Sequence, residues 1–84
     1  MLPRLRFLDL SENALEKLDP DLFVGLGNLR RLDLEGNSLR YVHGSTFKPL
    51  SGLIKLNLNS NHLKEIPGRI FEKLWKVEKI IVKA

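Results

Sequence analysis

The sequence predicts an α/β solenoid, a coil of short repeats whose strands pair in parallel. Three observations predict it. Asparagine recurs at Asn13, Asn37 and Asn61, 24 residues apart each time. Around each stands the same leucine frame: Leu5-x-x-Leu8-x-Leu10-x-x-Asn13-x-Leu15, then Leu29-x-x-Leu32-x-Leu34-x-x-Asn37-x-Leu39, then Leu53-x-x-Leu56-x-Leu58-x-x-Asn61-x-Leu63. Further columns keep the same period: Leu18, Val42 and Ile66; Phe23, Phe47 and Phe71; Leu26, Leu50 and Leu74. A fixed period of this length decides the architecture, because each unit can bury its apolar face only against its neighbours.

The period sets the boundaries. Full repeats span 5–28, 29–52 and 53–76, and a partial fourth, 77–84, opens as Val77-x-x-Ile80-x-Val82. Together they form one domain, 1–84, near the size at which a single core becomes marginal. Within each frame apolar and polar residues alternate, which suits a short strand with one buried face. This places strands near 7–10, 31–34, 55–58 and 79–82. Successive strands run the same way and pair about 4.8 Å apart. The asparagines then stack at the strand ends as a structural ladder. Their amides can meet backbone N–H and C=O groups that the turning chain leaves unpaired inside, and a buried Asn without such partners would be costly.

The return segments carry Pro20, Pro49 and Pro67 with Gly25, Gly27, Gly44, Gly52 and Gly68. These residues break long helices and strands alike, so short 3₁₀ or helical turns are expected there. The phenylalanine column, Phe23, Phe47 and Phe71, is expected to enter from the outer side and fill the space between the two walls of the coil. Segment 69–83 also fits an amphipathic helix loosely, through Ile70, Phe71, Leu74 and Ile81. The run Ile80-Ile81-Val82 and the repeat register favour a strand.

Hydrophobic content of 43% is ordinary for a globular protein. The chain has no cysteine, which excludes disulfide staples and thiolate metal sites. No apolar run approaches the roughly 20 residues that span a bilayer, so no membrane insertion is expected. No signal peptide precedes the repeats and no Asn-x-Ser/Thr sequon is present. The net charge of +4 is uneven. Residues 1–42 carry six basic and seven acidic side chains, a balance of −1, and residues 43–84 carry eight and three, a balance of +5.

The pattern L-x-x-L-x-L-x-x-N-x-L, followed by x-x-L-x-x-x-x-F-x-x-L, resembles the leucine-rich repeat in its 24-residue typical form, over essentially the whole chain. The resemblance implies a right-handed curved coil, with the parallel sheet on its concave face and irregular or 3₁₀ segments on the convex side. It also implies recognition of other proteins, since Toll-like receptors, small leucine-rich proteoglycans, neuronal adhesion proteins and variable lymphocyte receptors share this repeat. The parent it suggests is extracellular. Cysteine-stapled caps, usual in those proteins, are missing. The opening Met1-Leu2-Pro3-Arg4 sets Leu2 in register with Leu26. The expectation is an excised or designed stretch of a longer array.

The candidate site is the concave face, where side chains flanking the buried leucines stack into ladders. One is Phe7, Arg31, Lys55 and Lys79; the next is Asp9, Asp33, Asn57 and Ile81; another is Ser11, Glu35, Asn59 and Lys83. The expected partner-binding set is Phe7, Asp9, Arg30, Arg31, Asp33, Glu35, Lys55, Asn57, Asn59 and Lys79. Phe7 and the Arg30–Arg31 pair are its anchors, because aromatic and arginine residues dominate binding hot spots. The alternative for this face is a solvated sheet with acids and bases paired across strands, at roughly 0.2–1 kcal/mol per pair.

Other groups carry weaker signals. Lys64, Arg69, Lys73, Lys76, Lys79 and Lys83 could meet the phosphate or sulfate of a nucleic acid or glycan. The interleaved aromatics that stack bases are missing, because Phe71 and Trp75 belong to the repeat frame or its edge, so a solubilising surface is favoured. His43 and His62, without cysteine, do not suggest converging metal ligands. Ser45 near His43 has no third partner for a triad, and the expectation is a non-enzyme without cofactor. Gly25-Leu26-Gly27 follows no strand and lacks the third glycine of a phosphate loop. Uncapped ends would leave a bare sheet edge and an apolar cross-section, with self-association into homo-oligomers as the competing role. Trp75, standing where other repeats have Gly27 and Ser51, could cover the C-terminal section.

Overall fold

A computed structural model describes residues 4–63 and the strand at 79–81. Four three-residue strands, β1 (Phe7–Asp9), β2 (Arg31–Asp33), β3 (Lys55–Asn57) and β4 (Lys79–Ile81), form one parallel sheet in chain order. The register is the sequence period itself: Leu8 pairs with Leu32, Leu32 with Leu56, and Leu56 with Ile80. Residues 79–81 are strand, as the run of β-branched residues favoured. Phe71, Trp75 and the basic residues Lys64, Arg69, Lys73, Lys76 and Lys83 lie outside the described residues.

Strands β1, β2 and β3 end one residue earlier than the alternation suggests, and for β1 and β2 the reason is chemical. The N–H of Leu10 still donates to Asp33 C=O at 2.8 Å, and that of Leu34 to Asn57 C=O at 2.9 Å. Their carbonyls turn elsewhere. Leu10 C=O accepts from Asn37 Nδ2 at 2.9 Å, and Leu34 C=O from Asn61 Nδ2 at 2.9 Å. A side chain takes over the ladder where the backbone leaves it.

The asparagine ladder does what its burial requires. Asn37, 4% exposed, also donates to Leu34 C=O, while its Oδ1 accepts from the N–H groups of Asn13 and Leu15, both at 3.0 Å. Asn61, 8% exposed, repeats the pattern one turn on, donating to Leu34 and Leu58 and accepting from Leu39. Each buried Asn thus ties its own turn to the preceding one. Asn13 is the exception: it is exposed, and among the described residues its Nδ2 donates only to Ser11 C=O. No described turn lies on its N-terminal side to receive the other bonds.

The return path is built from i→i−3 turns, as its prolines and glycines predict. Leu22, Val24, Leu26 and Leu29 donate to Asp19, Asp21, Phe23 and Leu26. Thr46, Lys48, Leu50 and Leu53 donate to His43, Ser45, Phe47 and Leu50, the same bonds one period later. In the second turn they close a four-residue helix, α1 (Gly44–Phe47). Between this wall and the sheet lies the core, which includes Leu29, Leu32, Leu34, Leu39, Leu50, Leu53, Leu56 and Leu58. Phe23 and Phe47, both fully buried, stack with ring centroids 5.8 Å apart and planes 20° from parallel. They fill the gap assigned to their column.

Candidate functional site

The strand pleat sorts the polar residues. In β2 and β3 the central leucine points inward and is buried, while Arg31 and Lys55 are exposed and Asp33 and Asn57 half-buried. Parallel pairing then aligns identical repeat positions. Phe7 stands beside Arg31, Arg31 beside Lys55, and Lys55 beside Lys79. Asp9 stands beside Asp33, and Asp33 beside Asn57. The acid–base pairing across strands that would make this a merely solvated face is therefore not what the register provides. Arg31 stands against Lys55 and Asp9 against Asp33, like-charge pairs that weaken a sheet.

Phe7 remains 49% exposed, and the Arg31 guanidinium lies over its ring, 4.9 Å from the centroid. A cation held over an aromatic face is attracted by the ring quadrupole, at about 0.5–1 kcal/mol in exposed positions. Arg31, Asp33, Lys55 and Asn57, with Phe7 at one side, surround a shallow depression of about 70 Å³ over the β2 and β3 strands at Leu32 and Leu56.

Two parts of the expected binding set have structural duties that the sequence reading missed. Asp9, Asp33 and Asn57 each accept through Oδ1 from the N–H two residues ahead, in Ser11 (2.9 Å), Glu35 (2.9 Å) and Asn59 (3.0 Å). These are Asx turns that end each strand, and the signal was present as an Asp/Asn column at strand ends. Ser11 Oγ donates to Asp9 Oδ1 as well. These two bonds from Ser11, hydroxyl first and amide second, hold the Asp9 carboxyl below its ordinary pKa.

Arg30 carries the second such duty. Its Nη1 donates to Gly52 C=O at 3.2 Å, so the guanidinium is committed to the loop before β3, and the Arg30–Arg31 pair is split between two surfaces. Position 52 needs glycine for this, because a Cβ there would collide with Nη1 and come within 2.9 Å of Gly27 C=O. Glu35 and Asn59 lie half-buried just beyond the strands. Asn59 Oδ1 is buried with no hydrogen-bond partner among the described residues, and its neighbours offer no explanation.

His43 does not approach His62 in any metal-binding group: among the described residues no three His, Asp or Glu side chains gather to hold an ion. His43 instead meets Tyr41 edge-on, with ring centroids 4.7 Å apart, beside a groove lined by Leu18, Pro20, Arg40 and Val42. Among the described residues no helix is long and apolar enough to cross a membrane.

The sequence matches the leucine rich repeat family over residues 1–39 and 28–83. The chain belongs to the leucine-rich repeat family. Its fold is accordingly a leucine-rich repeat solenoid, and leucine-rich repeat domains are typically non-catalytic modules of protein–protein recognition. No curated protein matches the sequence significantly. Among solved structures, the chain is similar to a chain of the Toll–Spatzle complex, described as a molecular hub in Drosophila development and innate immunity. The TM-score is 0.86 at 23% identity, over 93% of this chain and 10% of that one. A chain of the glycosylated form of that complex gives a TM-score of 0.71 at 25% identity, over 96% and 12%. This leucine-rich repeat chain thus spans about a tenth of the length of those solved chains.

Proposed function

We propose that this chain is a non-catalytic recognition segment that binds a protein partner through the exposed face of its sheet. In this reading the repeats 5–28, 29–52 and 53–76 and the start of a fourth coil right-handedly, with the sheet on the concave side. Phe7, Arg31, Asp33, Lys55 and Asn57 form the centre of the footprint, with Asp9, Glu35, Asn59 and Lys79 around it. Arg30 supports the footprint from its contact with Gly52.

The observation that carries this reading is the in-register face. It places like charges side by side, which does nothing for the sheet's own stability, and leaves a large aromatic ring half-exposed under a guanidinium. Aromatic and arginine side chains are the residues that anchor protein interfaces. Strands β1 and β2, closed at their ends by asparagine and Asx hydrogen bonds, present them with little freedom left to lose on binding. The likeness to chains of the Toll–Spatzle complex, itself an assembly of proteins, supports a protein as the partner class and innate immunity or development as the setting.

Site-specific photocrosslinking tests this. A benzoylphenylalanine replacing Phe7 should capture a protein from the secreted fraction of the source cells, and one replacing Val24, exposed on the return path, should not. Equal capture from both positions, or none from position 7, would remove the sheet face as the site. Light scattering over a hundredfold range of concentration separates the competing role, because a mass that grows with concentration would make self-association the first property of the chain. Capture that collapses steeply between about 50 and 200 mM salt would instead indicate a polyanion.

A further inference from the structure

The exposed face carries two parallel ladders of opposite character. Along the first run Arg31 and Lys55, with Phe7 at one end; along the second run Asp9, Asp33 and Asn57. Arg31 and Asp33 are two residues apart on one strand, as are Lys55 and Asn57, so the ladders lie about 6.6 Å apart at 3.3 Å per residue. Any extended polypeptide repeats that interval between residues i and i+2 on one of its faces. We infer that the partner lays an extended segment along these strands, with an acidic residue over Arg31 and Lys55 and a basic residue two positions away over Asp9 and Asp33.

Four features of the face fit that occupant. Arg31 contacts the Phe7 ring and no carboxylate among the described residues, so its N–H donors keep capacity for an incoming anion. Lys55 stands next to Arg31 in register, and a carboxylate seated between them relieves their mutual repulsion. Asp9 and Asp33 use only Oδ1 in their Asx turns, which leaves Oδ2 of each to accept from an ammonium or guanidinium. The depression bounded by Phe7, Arg31, Asp33, Lys55 and Asn57 is shallow, with Phe7 as its exposed apolar wall, which suits the side-chain stem of an extended segment and not a folded small ligand. A sulfated glycan or nucleic acid would place anions over Asp9 and Asp33 as well as over the cations, and like-charge contact of that kind disfavours it.

This inference rests on the proposed recognition face, and its test keeps the two apart. The full chain is titrated with blocked tripeptides Glu-Ala-Lys, Glu-Ala-Glu and Lys-Ala-Lys and with a heparin oligosaccharide, and the backbone amides are followed by NMR. Glu-Ala-Lys should shift the amides of Arg31, Asp33, Lys55 and Asn57 most. The double variant Arg31→Gln/Lys55→Gln, both residues exposed, should keep the wild-type spectrum elsewhere and bind at least about tenfold more weakly, the loss expected for a desolvated charge pair. Equal or larger shifts with heparin or Glu-Ala-Glu, or none at these amides with any probe, would overturn the acid–base segment. If the double variant still crosslinks its partner from position 7 as well as the parent chain does, the charge pattern is wrong while the recognition face stands. Absence of capture in the parent chain removes both.

Discussion

The side chain of Asn37 meets four backbone groups in two turns: the N–H of Asn13 and Leu15 and the C=O of Leu10 and Leu34. Removing it leaves those groups without their partner, at about 1–3 kcal/mol for each one that water cannot reach. Because three of the four lie in the more exposed first turn, Asn37→Ala is expected to cost about 3 kcal/mol in a urea titration. Asn13→Ala should cost less than about 1 kcal/mol, since its amide makes one exposed bond. A second residue-scale prediction concerns the column Glu12, Gly36 and Ser60. All three adopt the left-handed conformation, with φ of 57°, 71° and 57°, and only Gly36 does so without steric penalty. Ser60→Gly should therefore stabilise the protein by about 0.5–1 kcal/mol in the same titration. Gly36→Ala should destabilise it, because the φ is unfavourable and a Cβ there would strike the Glu12 carboxylate. The asparagine period was plain in the sequence. The difference between Asn13 and Asn37 was not, because it depends on a neighbouring turn and not on the residue.

Strands β1 and β2 are each closed at the end by two devices, an asparagine amide from the next turn and an Asx turn of their own. The first is legible from the 24-residue spacing. The second was half-legible: Asp9, Asp33 and Asn57 stood out as a column, yet their alternation with buried leucines marked them only as exposed. The same carboxylate or amide can serve a turn and a partner, since it has two ends, and a pattern of exposure does not tell which end is in use. The Asx turn at β1 predicts a pH effect. Ser11 stabilises the ionised form of Asp9, so the folded pKa lies below the unfolded value of about 3.9. The contribution is therefore fully present above the unfolded pKa and lost as pH falls through the folded one. Ser11→Ala should move the Asp9 carboxyl titration, followed by carbon-detected NMR, upward towards the ordinary range. A titration unchanged by that substitution would assign the depression to another cause. Arg30 was the least legible of the anchors. It sits where the alternation gives way before β2, and a long side chain there takes whichever acceptor the next turn offers, in this case Gly52 C=O.

Across the whole molecule, every described connection is between neighbouring turns, and the same hydrogen bonds recur one period apart. Arg30 and Arg31 donate to Arg6 C=O as Ile54 and Lys55 donate to Arg30 C=O; Ser38 donates to Leu15 as His62 donates to Leu39. Such an array is stable only through its interfaces, so damage at one interface spreads to the turns on either side. Phe47 is the place to test this, being fully buried and stacked on Phe23. Phe47→Ala should cost about 3–5 kcal/mol, and amide exchange at Leu10, Leu34 and Ile54 should speed up together although none of them touches the deleted ring in sequence. Loss of protection confined to residues near 47 would mean that the turns fold independently. The sequence by itself determined the pairing of the described strands, their register and the residues that fill the described core, because all three follow from a repeated apolar spacing that only stacking can bury. Only the tertiary structure decided which of the polar side chains beside the strands hold the fold and which stay exposed, because a side-chain hydrogen bond depends on the acceptor that an adjacent turn brings within 3 Å or so, and the repeat pattern carries no record of that.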